Sequence, residues 1–182
     1  RGHQFTNTLL GHSYGSTTSG KSMPMMAPGT IDNFVMFGSP GSGVRNIDAY
    51  GLPEGHVYES SIPDGDAVQG LGPDASYGTN PRKLEGITHL SGDATDAANY
   101  WTPTPPSIAG TAGVVERTIH GFDNHMAYFE EGTRTSQDFA NIIAGAKPTT
   151  DEEWEALKKA HGNPQPSADD ESEWWKQALI GY

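Results

Sequence analysis

Leu9-Leu10-Gly11-His12-Ser13-Tyr14-Gly15 decides how this chain is read. A short apolar run that ends in G-x-S-x-G has the pattern of a strand turning sharply into a helix. At such a turn the serine backbone is crowded from two residues either side, and Gly11 and Gly15 read as the positions that relieve it. The turn lifts the Ser13 hydroxyl clear of the sheet, where it can attack a carbonyl. A serine hydroxyl is a weak nucleophile at its own pKa. It needs a base to take its proton and an acid to orient that base.

Outward from this turn, three further runs read as strands. Residues 33–37, Asn33-Phe34-Val35-Met36-Phe37, are closed by Gly38-Ser39-Pro40-Gly41. Residues 56–62, from His56 to Ile62, are closed by Pro63-Asp64-Gly65-Asp66. Residues 113–119, from Gly113 to Ile119, lead into His120-Gly121-Phe122-Asp123-Asn124-His125. With an elbow strand at 6–10 and a helix at 14–26, this predicts an α/β fold with a mostly parallel sheet flanked by helices. The first following strand ends bare, the next in aspartates, the last in histidines. Nucleophile, acid, histidine is the order in which a G-x-S-x-G serine takes its partners.

The expected triad is Ser13, Asp66 and His125. Asp66 is preferred to Asp64 because Gly65 lets the loop turn it inward and Ala67-Val68 restores apolar packing behind it. One aspartate of the pair is expected to be an ordinary turn residue bonding its own backbone. His125 is preferred to His120 because it precedes Met126-Ala127-Tyr128-Phe129, which reads as a helix start packing on the core. His3, His56, His89 and His161 have no such setting and read as surface or structural. His12 is given no catalytic role. Tyr14, next after the nucleophile, is expected to supply a backbone N–H to the oxyanion hole.

The same residues also spell a competing motif. Gly15-Ser16-Thr17-Thr18-Ser19-Gly20-Lys21-Ser22 matches G-x-x-x-x-G-K-S, a loop that cradles phosphate. Three features oppose that reading. An apolar strand ending at Leu10 leaves Gly11 to Tyr14 as an unexplained insertion. Met23-Pro24-Met25-Met26-Ala27-Pro28-Gly29 is too short and too broken by proline for the long helix such a loop feeds. No later apolar strand ends in an aspartate to hold magnesium.

Several segments together resemble an uncharacterised α/β-hydrolase family widespread in actinobacteria. They are Leu10 to Thr17, Phe37-Gly38-Ser39-Pro40-Gly41-Ser42-Gly43-Val44, Leu52 to Tyr58, Gly65-Asp66-Ala67-Val68, Leu71-Gly72-Pro73-Asp74 and His125 to Phe129. The resemblance covers about residues 6 to 145. It implies an α/β-hydrolase fold with Ser13, Asp66 and His125 as the triad. Where that family usually has proline after the aspartate, this chain has Ala67, which leaves Asp64 open as the acid. The resemblance names no substrate. It also implies that the sheet's early strands, and the loop giving a second oxyanion donor, are absent from this chain. An N-terminal fragment or a second chain is then expected to complete the sheet.

Composition narrows the partners. The 182 residues carry 23 acidic and 11 basic side chains, a formal net charge of −12. No Lys/Arg cluster exists, so a nucleic-acid partner is not expected; the expected triad implies a small-molecule acyl substrate instead. No apolar run is long enough to span a bilayer. There are no cysteines, so neither disulfides nor thiolate metal sites arise. His120, Asp123 and His125 crowd one loop at a spacing that could hold a metal ion. A catalytic histidine with polar neighbours is the preferred reading, and no metal or cofactor is expected.

Residues 1–148 read as the hydrolase-like portion. Within it, the stretch 71–110, polar and rich in glycine and proline, is expected to cover the mouth of the site as a lid. Residues 126–144 read as one apolar-striped helix stopped by Gly145. Residues 149–182 form an acidic tail. Thr150-Asp151-Glu152-Glu153 is a capping box opening a helix through Ala160, and Ser167 caps a second helix to about Leu179. Trp154, Leu157, Trp174, Leu179 and Ile180 give the tail an apolar stripe. Docking onto the body is preferred over an arm for a partner, a role that would suit a non-catalytic assembly protein with a hydrolase-like fold.

Overall fold

The computed structural model describes residues 5–62, 66–93 and 123–161. Among these residues the sheet holds four parallel strands in the order of the chain: β1 (Thr8–His12), β2 (Asn33–Phe37), β3 (Val57–Ser60) and β4 (Thr88–His89). Leu10 pairs with Val35, Val35 with Tyr58, and Tyr58 with Thr88. All five residues of β2 are buried, as an interior parallel strand covered on both faces requires. Its side chains alternate between two cores. Val35 and Phe37 join Ile62, Leu90, Ala127, Tyr128 and Ile142 on one face. Phe34 and Met36 join Met23, Tyr50, Val57, Leu84 and Ile87 on the other.

Helix α1 (Tyr14–Ser22) follows β1 directly and continues as a 3₁₀ turn, Met23–Met25. Its amphipathy is weak, and small side chains hold it in place. Thr17 Oγ1 donates to the Gly41 carbonyl at 2.6 Å, and Ser16 Oγ donates to Ser39 Oγ at 2.6 Å. Gly20 lies against the Ser42 carbonyl, where a Cβ would overlap it. The G-x-x-x-x-G-K-S residues are therefore helical and packed on the loop after β2, with no concavity for phosphate. β1 runs through Gly11 to His12, so those two residues are strand and not an insertion after Leu10.

Two other expectations change. The expected helix over 126–144 is two pieces, a 3₁₀ turn Ala127–Phe129 and α3 (Arg134–Ile143), with a short α2 (Asp74–Tyr77) far upstream. The break has local causes. Gly132 takes φ 80°, and Thr133 caps the new helix by accepting the Ser136 N–H at 3.1 Å. The second change is β4, which lies inside the 71–110 stretch and pairs with β3. The run 113–119, expected as the last strand, falls outside the described residues.

Helix α4 (Asp151–His161) opens on the expected capping box. The Glu153 N–H donates to Thr150 Oγ1 at 3.2 Å while Glu153 Oε2 accepts the Thr150 N–H at 3.1 Å. Trp154 is buried, its indole N–H donating to Asp93 and its ring 5.6 Å beneath the Arg134 guanidinium. This first part of the tail docks on the body. The second expected tail helix, with Trp174, lies outside the described residues.

Candidate active site

Parallel strands carry their C-terminal ends to one edge of the sheet, and the chemistry-bearing residues collect there. Ser13 leaves β1 with φ 54° and ψ −136°, and among the described residues it alone has a positive φ without being glycine. Such a backbone costs of order 1–3 kcal/mol and persists only where its surroundings fix it. Here the Ser13 N–H donates to the Phe37 carbonyl at 3.0 Å, and its own carbonyl accepts Ser16 N at 3.0 Å. Gly11 is needed, since a Cβ there would lie 2.7 Å from the Ser16 Cα. Gly15 is not, because it points into open space. Only one of the two glycines relieves crowding.

Asp66 and His125 are brought together. The Asp66 carboxylate is fully buried and the His125 side chain is 8% exposed. A carboxylate can only accept, so His125 Nδ1 carries the proton; it lies 2.9 Å from Oδ1 and 3.0 Å from Oδ2. Asp66 Oδ1 also accepts the Val68 N–H at 2.8 Å and the Gln69 N–H at 3.3 Å. With Nδ1 protonated, Nε2 of a neutral His125 holds a lone pair and can act as a base. Gly38, at the end of β2 with φ 54°, makes room for the pair. A Cβ there would sit 2.9 Å from Asp66 Oδ2 and 3.0 Å from His125 Nδ1. Ser13 Oγ makes no hydrogen bond within the described residues; catalytic contacts often tighten only when substrate binds. Asp64 and His120, the alternatives, lie outside the described residues.

Tyr14 stands at the first turn of α1, where N–H groups have no intrahelical acceptor. Its ring is exposed and meets Tyr77 edge-on at 5.8 Å. Tyr128 was read from sequence only as packing, and it does more. It is 1% exposed, donates its hydroxyl to Asp66 Oδ2 at 3.0 Å, and accepts the Ile62 N–H at 3.0 Å. Burial, reinforced by the Asp66 charge, pushes its pKa well up, so it stays a donor. The spacing was a legible signal: three residues after His125, in a helical stretch, lies on the same side.

Of the other histidines, His56 Nδ1 bonds Asn33 Oδ1 at 2.9 Å, a structural role. His89 pairs with buried Glu59 at 2.7 Å, and that hydrogen bond raises its pKa. Glu59 continues through Ser61 to the Gln69 side chain, whose backbone N–H already holds Asp66. Among the described residues no group of three or more His, Asp or Glu side chains is placed to hold a metal ion. No helix among them is long and apolar enough to cross a membrane.

Comparison with known proteins agrees with this architecture. Residues 2–76 match the sequence profile of a family described as alpha/beta hydrolase. Uncharacterized proteins of Mycobacterium bovis and Mycobacterium tuberculosis are 32% identical over 85 residues. That stretch is 46% of this chain and 31% of each relative, so the chain spans about a third of the length of the curated relatives it matches. No solved structure matches. The fold is an α/β-hydrolase fold, with β1 leading into the G-x-S-x-G turn.

Proposed function

We propose that this chain carries the site of a serine hydrolase acting on an ester, thioester or related acyl bond. Ser13 Oγ attacks the acyl carbonyl carbon while His125 Nε2 takes the hydroxyl proton. The carbonyl π electrons move onto oxygen, and the Tyr14 backbone N–H helps hold that oxyanion. As the oxyanion collapses, His125 returns its proton to the departing alkoxide or thiolate and the acyl group stays on Ser13. Water then attacks the acyl-enzyme by the same proton route and releases the acid. Asp66 orients His125 and stabilises the imidazolium without accepting its proton.

The observation that carries this reading is the buried Asp66–His125 pair beside Gly38, next to a serine held at φ 54°. An isolated buried carboxylate would be expensive. This one has two backbone N–H groups, a tyrosine and a histidine around it, an arrangement suited to holding charge against a base. Labelling of the 182-residue chain with a fluorophosphonate, followed by peptide mapping, tests it. Wild-type protein should be labelled on Ser13, and Ser13→Ala and His125→Ala should not be labelled. Folded wild-type protein that takes no label would sink the reading.

A further inference from the structure

We propose that His12 is a positioning residue for His125, tying the strand that carries the nucleophile to the segment that carries the base. The proposal rests on the serine-hydrolase reading above and deepens it. His12 and His125 are 113 residues apart in sequence, yet His12 Nε2 lies 2.8 Å from the His125 carbonyl oxygen. A carbonyl can only accept, so Nε2 carries the hydrogen and donates. The two rings also pack against each other, centroids 4.4 Å apart and tilted 31°. His125 is thus held at three points: its Nδ1 by Asp66, its backbone by His12, and its ring face by the His12 imidazole.

His12 is itself well seated. Phe37 stacks on it at 5.1 Å and Phe129 meets it edge-on at 4.9 Å. Burial lowers its pKa and outweighs the opposing effect of the hydrogen bond to the His125 carbonyl. A neutral ring adds no second positive charge when His125 becomes an imidazolium. Being next to Ser13 in the chain, His12 fixes the base relative to the nucleophile with a single residue between them in the structure. Misplacement of a catalytic group by about 1 Å can cost on the order of a hundredfold in rate, so this clamp has something to protect.

Two substitutions separate the donor from the ring. His12→Phe keeps aromatic packing and removes the donor, while His12→Gln places an amide nitrogen near the former Nε2. Turnover of p-nitrophenyl acetate and the downfield proton resonance of the His125 Nδ1–H are measured on the 182-residue chain. For His12→Phe, kcat should fall about tenfold, the size of one lost hydrogen bond, with KM unchanged within about twofold. Its downfield resonance should broaden or shift, and His12→Gln should restore both. If His12→Phe does not fold, His12→Leu takes its place in the comparison. A donor-free variant with wild-type kcat and an unmoved resonance would overturn the proposal. So would a His12→Gln variant that is as impaired as the donor-free one in both readouts. Wild-type protein that shows the resonance but no turnover refutes the hydrolase reading instead, and the resonance alone then judges His12.

Discussion

Tyr128→Phe removes one oxygen atom and should disturb two elements of the site at once. The hydroxyl donates to a buried carboxylate and accepts the N–H of Ile62, itself 3% exposed. A hydrogen bond to a charged group contributes about 1.5–3 kcal/mol, and a stranded buried N–H costs about 1–3 kcal/mol. Asp66 keeps its two backbone donors and His125, so the two losses overlap. The expected destabilisation is about 2–4 kcal/mol, which for a chain of this size lowers the thermal midpoint by roughly 5–15 °C. Catalysis should suffer less than from loss of the charge itself. Tyr128→Phe should reduce kcat about tenfold, whereas Asp66→Asn, which imposes the wrong tautomer on His125, should reduce it about ten-thousandfold. Urea unfolding of both single variants and the double variant measures the coupling between hydroxyl and carboxylate. The expected coupling is at least about 1 kcal/mol, as for residues sharing one network. Additive single and double variants, with Tyr128→Phe unfolding at the wild-type midpoint, would show that the hydroxyl does not hold Asp66.

Gly38→Ala places a methyl 2.9 Å from Asp66 Oδ2 at φ 54°. It should abolish fluorophosphonate labelling and cost at least about 1 kcal/mol from backbone strain alone; labelling at the wild-type rate contradicts the packing. Asp138 is buried beneath Ser91 and Thr149, and burial raises its pKa from 3.8 to about 6. The folded state therefore binds this proton more tightly than the unfolded state. The group's contribution to stability falls as pH rises from about 4 to about 6, by about 3 kcal/mol. Urea titrations of wild type and Asp138→Asn at pH 4 and pH 7 should diverge by about that amount, and parallel curves refute it. Gly11→Ala should destabilise by about 2 kcal/mol or more through its clash with Ser16. Gly15→Ala, in open space on a helix, should stabilise by up to about 1 kcal/mol, and equal effects at the two positions would contradict the geometry.

Much of the site was legible because its parts are local. The strand 33–37 matched β2 residue for residue, since an unbroken apolar run bounded by glycine and proline has few other homes. Chain order put aspartates before histidines, and the local settings of Asp66 and His125 singled out the two side chains that meet. What escaped was either short or tertiary. β4 is two residues long, pairs only with β3 among the described residues, and sits in a polar stretch with no periodicity to announce it. Without it, 71–110 read as an unbroken lid-like stretch and His89 looked isolated. The helix break was readable in Glu131-Gly132-Thr133, a glycine followed by a capping threonine, but the apolar stripe on either side outweighed it. His12 could not have been found this way. Its partner is a backbone carbonyl 113 residues away, and a carbonyl leaves no mark in a sequence.

The four strand ends also explain why the site needs a strand that carries no chemistry. Ser13 leaves β1 and Asp66 follows β3, so β2 separates the proposed nucleophile from the proposed acid in the sheet. Whatever side chain ended β2 would stand between them, where His125 must enter. Gly38 is that residue, and its missing Cβ is the space in which Asp66 Oδ2 and the His125 ring meet. Phe37, one residue earlier, accepts the Ser13 N–H through its carbonyl and packs its ring against His12. The bare end of β2 is thus the floor of the site. It holds the serine backbone on one side and leaves room for the acid–base pair on the other. A bulkier residue at 38 would drive the pair apart by overlapping both members, because its Cβ would stand 2.9 Å from Asp66 Oδ2 and 3.0 Å from His125 Nδ1.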